Sequence, residues 1–569
     1  MSWIAGILGD FSDRDLEVIK KLHPKPLFCF SKEKIYFVAG GLKDTCVFTA
    51  TKTEFHIICG LVFQKRLNSY ELVNEDDWEN ILRNKQNHKS LDGHFVGVKW
   101  KDNQLNCFVD TLGIRNLYIF STKHYSVVST KLNWIAKFRK NNQLNLKAFS
   151  SNWLLSNQIS TESLLKNTYR LSQGGEATIK GNRISVINKY WEPGGSDNTF
   201  ENLIKEFSIV YLKNNSKLSL GFSGGLDSRV LLSILMNSPY KNWSVHTFGD
   251  TDWNDVKIAS LIAKDFAIDQ VYLKNENADA LKQIKEIRQY VAETYLSSPS
   301  SAYLKLQYYK TLNDLGNIII DGGSGEIARR RYMNRLLFFD KDAIVNKNIP
   351  RIIKHLRIGK TSIFNDEFVK VLGENLISEM SEFLEKMPTV SEYGIENWLD
   401  LMAIRSRFPN FAGIEQSRSD SEVVNYMPFI QPSVINSIFE IPVHVRKNGT
   451  LFKKIISLHY PKLKKYSLVK DDIIYPFYFS TFFASALSFS KRKLGRTNTE
   501  NSENHYIFSL KDYLLDTIHS LDLLNFPLYD TNHIKKLVTS YFNGNFNLCK
   551  QVDWFLTFEL FRQELLIKS

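Results

Sequence analysis

The feature that most constrains this chain is the hexapeptide SGGLDS at residues 223–228, between the apolar run LSLGF and the segment SRVLLSILMN. LSLGF reads as a buried strand and SRVLLSILMN as a helix. A strand that passes through two glycines into a helix fits a parallel, doubly wound sheet, whose neighbouring strands need helical crossovers. The loop also suits phosphate chemistry. Gly224 and Gly225 allow close backbone approach. The helix N-terminus presents free N–H groups and a positive dipole end to an anion. Ser223 and Ser228 add hydroxyl donors. Asp227 does not bind phosphate directly, so its expected task is to hold Mg²⁺ or to orient the loop. A lone Gly-Gly would read as a turn with a helix cap. No GxxxxGK[ST] is present, so the loop is not of the Walker type.

The flanking sequence continues the alternation. WSVHTF, QVYLK and NIIID read as further strands, DVKIASLIAKDF as a helix, and the chain beyond about residue 350 as mostly helical. Residues 1 to about 190 differ. IYFVAGG, CVFTAT, FHIICGLVF, FVGVKW, LNCFVD and YSVVST are short β-branched or aromatic runs, with helical interruptions such as WENILRNK. KYWEPGGSDN, residues 189–198, reads as a linker. The expected plan is α+β followed by α/β: a layered β-rich domain over 1–195 and a doubly wound domain with extra helices over 200–569. The polar segment at 491–506 is expected to be a mobile loop.

The 569 residues suffice for two or more domains, and 43 % hydrophobic with 23 % charged residues is ordinary for a folded protein. The net charge of +13 fits either scattered surface Lys and Arg or an electropositive cleft for an acidic ligand. No helix-turn-helix, zinc-finger or RNP pattern supports nucleic acid. Five widely spaced cysteines without a CxxC pair fit reduced thiols in the cytoplasm and no structural zinc. MSWIAGILGD has no basic region ahead of an apolar run, so it does not read as a signal peptide. The aromatic-rich stretch at 475–489 comes nearest to a membrane span but is short, and is expected to be a buried helix.

SGGLDS resembles the pyrophosphate loop of the ATP-pyrophosphatase superfamily, and three downstream segments narrow the resemblance to asparagine synthetase-like enzymes. HTFGDTDWNDVKIASLIAKDF is similar to the segment where the second strand meets adenine, which implies a nucleotide contact at Phe248; Asp255 and Ala259 match the family's D-x-x-x-A spacing. IIIDGGSGEIARRRY resembles the second signature, usually close to LSGEGADELFGGY. Its Gly322 would face the nucleotide, Glu326 falls on the family's Asp, and Tyr332 on its closing Tyr. MPFIQPSVINSIFEIPVHVRKNGTLFKK resembles the family's PFLD…lP…K segment. The resemblance implies ATP and Mg²⁺, with Asp227 and Glu326 as metal ligands. It also implies a late lysine near the transferred phosphate, for which Lys470 in YSLVKDDIIYP and Lys453 or Lys454 are the candidates.

Two departures stand out. Gly323 replaces the motif's Glu or Tyr, so no base is present there, and the bare position is expected to leave room for a bulky substrate. Arg329, Arg330 and Arg331 replace apolar and Gly residues; they read either as a solvated basic turn or as donors to an anion.

The amino-terminal half resembles the family's glutaminase domain. LDGHFVGVKW, with Asp92, Gly93 and Phe95, and DTLGIRNLYIF, with Asp110, Gly113, Arg115, Leu117 and Tyr118, match its internal strands. The family's MCGIAG start, with its Cys nucleophile, is MSWIAG here. Ser2 is a far weaker nucleophile than a thiol. Trp3 is expected to fill space a glutamine would need, and the RGPD loop is absent.

The resemblance therefore implies a carboxylate-adenylating amide synthetase with a degenerate glutaminase half. Three readings remain open. In the first, a substrate amine attacks, as in β-lactam synthetases and lasso peptide macrolactam cyclases, with a precursor peptide and its leader-processing enzymes as partners. In the second, a small acid or sugar acid is aminated by free ammonia or a partner glutaminase. The third is a non-catalytic scaffold. A homodimer is compatible with each.

Overall fold

A computed structural model describes residues 2–67, 69–83, 90–139, 141–181, 183–274, 281–470, 473–480 and 500–566. The first half builds two antiparallel sheets. Their strands are β1 (Trp3–Gly9), β2 (Phe28–Lys32), β3 (Ile35–Gly40), β4 (Cys46–Ala50), β5 (Phe55–Arg66), β6 (Ser69–Leu72), β7 (Asp92–Lys101), β8 (Gln104–Val109), β9 (Leu117–Ser121), β10 (Tyr125–Ser129), β11 (Tyr169–Leu171), β12 (Glu176–Lys180) and β13 (Arg183–Ile187). One sheet runs β11-β9-β10-β1-β3-β2. The other runs β13-β12-β8-β7-β5-β4, with β6 also on β5.

Side chains alternate across each strand, so each sheet offers two faces. Ile4 and Phe37 of the first sheet meet Ile57, Val96 and Val98 of the second in the inter-sheet core. The outer face of the second sheet buries Ile58, Val62 and Phe95 against Trp78 and Ile81 of the helix Glu75–Arg83. The outer face of the first sheet puts Trp3, Ala5 and Ile7 in one core with Leu132, Trp134 and Ile135 of the helix Leu132–Phe138. The result is a helix–sheet–sheet–helix layering. The sequence reading missed β1, although it is a central strand of its sheet, and also β2, β6, β11, β12 and β13.

The second half is built on one five-stranded parallel sheet. Its strands are β14 (Leu218–Gly221), β15 (Trp243–Phe248), β16 (Gln270–Leu273), β17 (Ile318–Ile320) and β18 (Asn425–Tyr426), in the order β16-β15-β14-β17-β18. All four pairings are parallel. Chain order across the sheet is thus third-second-first-fourth-fifth, the doubly wound arrangement, with its switch point between β14 and β17. Leu218, Leu220, Val245, Ile319 and Ile320 are buried, which explains the unalternating apolar runs. The short β18 escaped the sequence reading. A hairpin of β19 (Leu468–Lys470) and β20 (Ile473–Tyr475) stands apart from this sheet.

One apolar core runs from Trp3 to Leu565 and joins the two halves. The segment at 189–198 carries no helix or strand, but it is tied down: Trp191 is buried, the Gly194 N–H donates to Asn436 Oδ1 (3.0 Å) and the Ser196 N–H to Glu440 Oε1 (2.7 Å). In the segment expected to be a mobile loop, residues 500–506 instead belong to the helix Glu500–Ser509, and 491–499 lie outside the described residues. In the stretch expected to be a buried helix, Tyr475 closes β20 and residues 481–489 lie outside the described residues. Among the described residues no helix is long and apolar enough to cross a membrane.

Candidate active site

The loops after β14 and β17 open onto one crevice at the carboxyl ends of the strands, at the switch point where doubly wound sheets hold ligands. The crevice has a volume of about 310 Å³. Its walls include Ser223, Asp227 and Ser228 from the first loop and Asp321, Gly322, Gly323, Ser324 and Glu326 from the second, with His246, Phe248 and Asp255 on a third side.

The first loop is held by its own hydroxyls. Ser223 Oγ accepts the Gly225 N–H (3.1 Å), and Ser228 Oγ accepts the Ser223 N–H (3.3 Å). Gly224 is required by packing, because a Cβ there would lie 2.5 Å from Val469 Cγ2. Its carbonyl accepts from the Val469 N–H (2.9 Å) and from Arg229 Nη2 (3.1 Å). Arg229 also donates to the carbonyls of Tyr466 (2.9 Å) and Ser467 (2.8 Å). The β19–β20 hairpin is thereby bolted to the SGGLDS loop; Val469 faces Gly224, and Lys470, next along the strand, is not among the described crevice walls. Lys453 is not among the crevice walls. Its ammonium donates to the Phe479 carbonyl (2.6 Å), and partial burial lowers its pKa.

The second loop lies across the first turn of the helix Leu226–Asn237. A Cβ on Gly322 would come within 3.0 Å of the Ser228 nitrogen, and one on Gly325 within 2.7 Å of Asp227 Cγ. Arg329 and Arg330 are buried rather than solvated. Arg329 Nη2 pairs with Asp227 Oδ2 at 2.5 Å, and Arg330 Nη1 with Asp400 at 3.3 Å. The expected room at Gly323 is not there: a Cβ on Gly323 would lie 2.6 Å from Met427 Sδ, so methionine fills the space beside the missing side chain.

Asp227, Asp255, Asp321 and Glu326 all line the crevice, and no Lys or Arg is among its described walls. Burial raises the Asp227 pKa to about 6; Arg329 opposes this and the Glu326 carboxylate adds to it. Burial also raises Asp321, against the pull of the Gly323 N–H at 2.6 Å. His246, which sequence reasoning missed, is buried and pushed down to about 3, so its imidazole is neutral. Its Nδ1 meets Ser219 Oγ at 2.9 Å, while Nε2 has no partner. The signal for His246 was its place near the end of a central strand. Phe248 lines the crevice with its ring stacked on Tyr308, centroids 5.1 Å apart.

So many carboxylates repel a polyphosphate unless a divalent cation bridges them. Asp227 Oδ1 is buried without a partner, which fits a cation ligand. No group of three or more His, Cys, Asp or Glu side chains forms a ready metal cage among the described residues. Mg²⁺ suits such a site because it binds through one or two carboxylates and takes its other ligands from phosphate and water. Asp227 and Glu326 are the residues that would hold it.

In the first half, Ser2 is fully buried, its hydroxyl accepting from Thr45 Oγ1 (2.9 Å) and its carbonyl from Arg115 Nη1 (3.4 Å). Trp3 stacks on His23 (5.4 Å) and meets Trp134 edge-on (5.2 Å), contacts that do not include the Ser2 hydroxyl. Thr45 thus holds the Ser2 hydroxyl and Arg115 its carbonyl.

No family model matches the chain, and no curated protein matches it. Among solved structures, glutamine phosphoribosylpyrophosphate amidotransferase from B. subtilis, complexed with ADP and GMP, is 10 % identical over 56 % of this chain and 81 % of its own, with a TM-score of 0.21. An allosteric regulatory enzyme of purine biosynthesis is 9 % identical over 48 % of this chain and 64 % of its own, with a TM-score of 0.20. Overlap this loose identifies neither a fold nor an activity.

Proposed function

We propose that this protein is an ATP-dependent, AMP-forming amide synthetase of the asparagine synthetase plan. The observation that carries the reading is the meeting of SGGLDS and the Asp321–Glu326 loop at the switch point of a doubly wound sheet, around the unpartnered Asp227 Oδ1. The N–H groups of the Leu226–Asn237 helix would face the phosphates, and Lys470, on the hairpin bound to the SGGLDS loop through Val469, is the lysine assigned to them. Bound Mg²⁺ supplies charge neutralisation between the carboxylates and the phosphates.

A substrate carboxylate oxygen attacks the α-phosphorus of ATP, the bond to the bridging oxygen breaks, and pyrophosphate leaves with the electron pair. An amine nitrogen then attacks the activated carbonyl carbon, AMP leaves, and the amine proton passes to solvent or a carboxylate. The closed setting of Ser2 supports an amine that does not come from glutamine. The amine is then carried by the substrate, and the product is a lactam or macrolactam of the kind made by lasso peptide cyclases. The precursor peptide and its processing enzymes are the partners, and the cytoplasm is the setting.

The test is product analysis with ATP, Mg²⁺ and a panel of peptides and amino acids. AMP and pyrophosphate, with loss of one water from the substrate, are the expected products. ADP as the sole nucleotide product overturns the reading. A product about one mass unit lighter than its acid, formed only with added ammonia, replaces lactam formation with amination.

A further inference from the structure

Beside the crevice lies a second cleft of about 230 Å³, and the two share Gly323, Ser324 and Glu326. Its far wall is one helical run. The helix Val390–Arg407 passes into a π-helical turn, Phe408–Ala412, and then into the helix Gly413–Ser419. Pro409 accounts for the wide turn: it has no N–H to donate to the carbonyl of Arg405, so the regular ladder is interrupted there. π turns of this kind recur at functional sites.

Arg407, Phe411 and Glu415 follow at four-residue intervals and all line the cleft. In a regular α-helix, positions eight apart drift by roughly 80° around the axis. The wider π turn takes up part of that drift. The turn is also gripped from the first half. Arg170 of β11 donates to Asn410 Oδ1 (2.6 Å) and to the Pro409 carbonyl (2.9 Å).

The Arg407 guanidinium lies 4.5 Å from the centroid of Phe411 and 5.9 Å from that of Tyr332. Stacking of this kind leaves the edge of the fork open, and among the described residues no hydrogen bond or ion pair engages it. Glu415 is half engaged. Its Oε1 accepts from Ser297 (3.3 Å) and Ser298, while Oε2 accepts nothing among the described residues. The wall thus offers an unused bidentate donor, an unused carboxylate oxygen and aromatic surface. With Glu326 it carries two carboxylates to one guanidinium. A simple anion meets repulsion there, and a simple cation leaves Arg407 unmatched.

We propose that this cleft binds a zwitterionic amino acid with a large apolar side chain. Arg407 holds its carboxylate, its ammonium faces Glu415 and Glu326, and its side chain packs on Phe411. The shared wall then presents the amine to the ATP crevice. The bound amino acid is then a separate amine donor, an intermolecular alternative to lactam closure; this rests on the synthetase reading for the reaction, but not for the binding.

The experiment is calorimetric titration of the full chain, without nucleotide, with L-phenylalanine, L-phenylalaninamide and N-acetyl-L-phenylalanine. Phenylalanine is expected to bind at least about tenfold tighter than either derivative, the scale of one lost charge-assisted contact. Arg407→Gln should erase the preference over the amide and keep that over the N-acetyl compound, and Glu415→Gln should do the reverse. Thermal unfolding checks each variant, and Arg407→Lys, which keeps the charge but loses the fork, should keep part of the preference if Arg407→Gln does not fold. Three equal affinities, no phenylalanine binding, or an unchanged preference in Arg407→Gln overturns the proposal. Phenylalanine binding by a chain that forms no AMP from ATP with any acid of the product-analysis panel overturns the synthetase reading and leaves this one standing.

Discussion

Met427 occupies the space beside Gly323: a Cβ on the glycine would stand 2.6 Å from the Met427 sulfur. The missing side chain in the second loop is therefore compensated by a neighbour from the segment after β18. Gly323→Ala should cost about 1–3 kcal/mol by overpacking. Met427→Ala in the same chain should recover most of that loss. Denaturant unfolding of both single variants and the double variant checks this, and purely additive effects would show that the two residues do not compete for the space.

Asp227→Asn and Glu326→Gln should each lower AMP formation by about 10²-fold or more; Glu326→Gln should leave the unfolding midpoint near wild type, whereas Asp227→Asn should lower it, because buried Arg329 loses its partner. Lys470→Ala is expected to lower the rate by a similar factor. Wild-type turnover in either carboxylate variant would remove these residues from the metal and phosphate site.

Ser2→Cys should not make the protein a glutaminase. The position is fully buried, with Thr45 and Arg115 closed around it, so a better nucleophile there still meets no glutamine. Glutamate release from glutamine is the assay, and release above that of the unsubstituted protein would show an open pocket.

Glu379, on the helix Asp366–Glu385, accepts the Ser160 N–H at 3.0 Å through Oε1, while its buried Oε2 has no partner. Burial raises its pKa from 4.5 to about 7. The folded chain therefore holds this proton up to about pH 7, whereas the unfolded chain releases it near 4.5. Between these values the folded state binds more protons, so stability falls as pH rises. The penalty is absent well below pH 4.5 and complete above about 7, with a ceiling of about 3 kcal/mol. Glu379→Gln should match wild type near pH 4 and be about 1–3 kcal/mol more stable at pH 8. A pH-independent difference between the two proteins would rule this out.

Arg170→Ala should destabilise the chain by about 2–4 kcal/mol, because it leaves Asn410 Oδ1 and the Pro409 carbonyl buried without their donor. Since Arg170 grips the π turn, the variant should also weaken phenylalanine binding. A normal unfolding midpoint would show that the first half does not support this wall.

What the sequence by itself determined is what a short window encodes. LSLGF-SGGLDS-SRVLLSILMN specifies strand, loop and helix within twenty residues, and the apolar runs that follow specify a parallel sheet buried on both faces. In the first half β3, β4, β5, β7, β8 and β10 were legible for the same reason, whereas β2, β6, β11, β12 and β13 were not. The two-residue β18 carries too little pattern to find. The N-terminal β1, WIAGILG, is apolar without alternation, so its period does not separate a strand from a buried helix.

The tertiary structure alone decided the rest, because these contacts join residues far apart in the chain. Asp227 and Arg329 are 102 residues apart, and only their pairing shows that this arginine, open in the sequence to a solvated turn or an anion contact, is buried behind the crevice. Arg170 and Asn410 are 240 apart, and only their meeting shows how the first half supports a wall of the second. No local period or composition encodes such a distance. The parallel pairing of β14 and β17 puts the loops that follow them at one edge of the sheet, and side-chain volume, as with Met427 beside Gly323, then decides what each loop can admit.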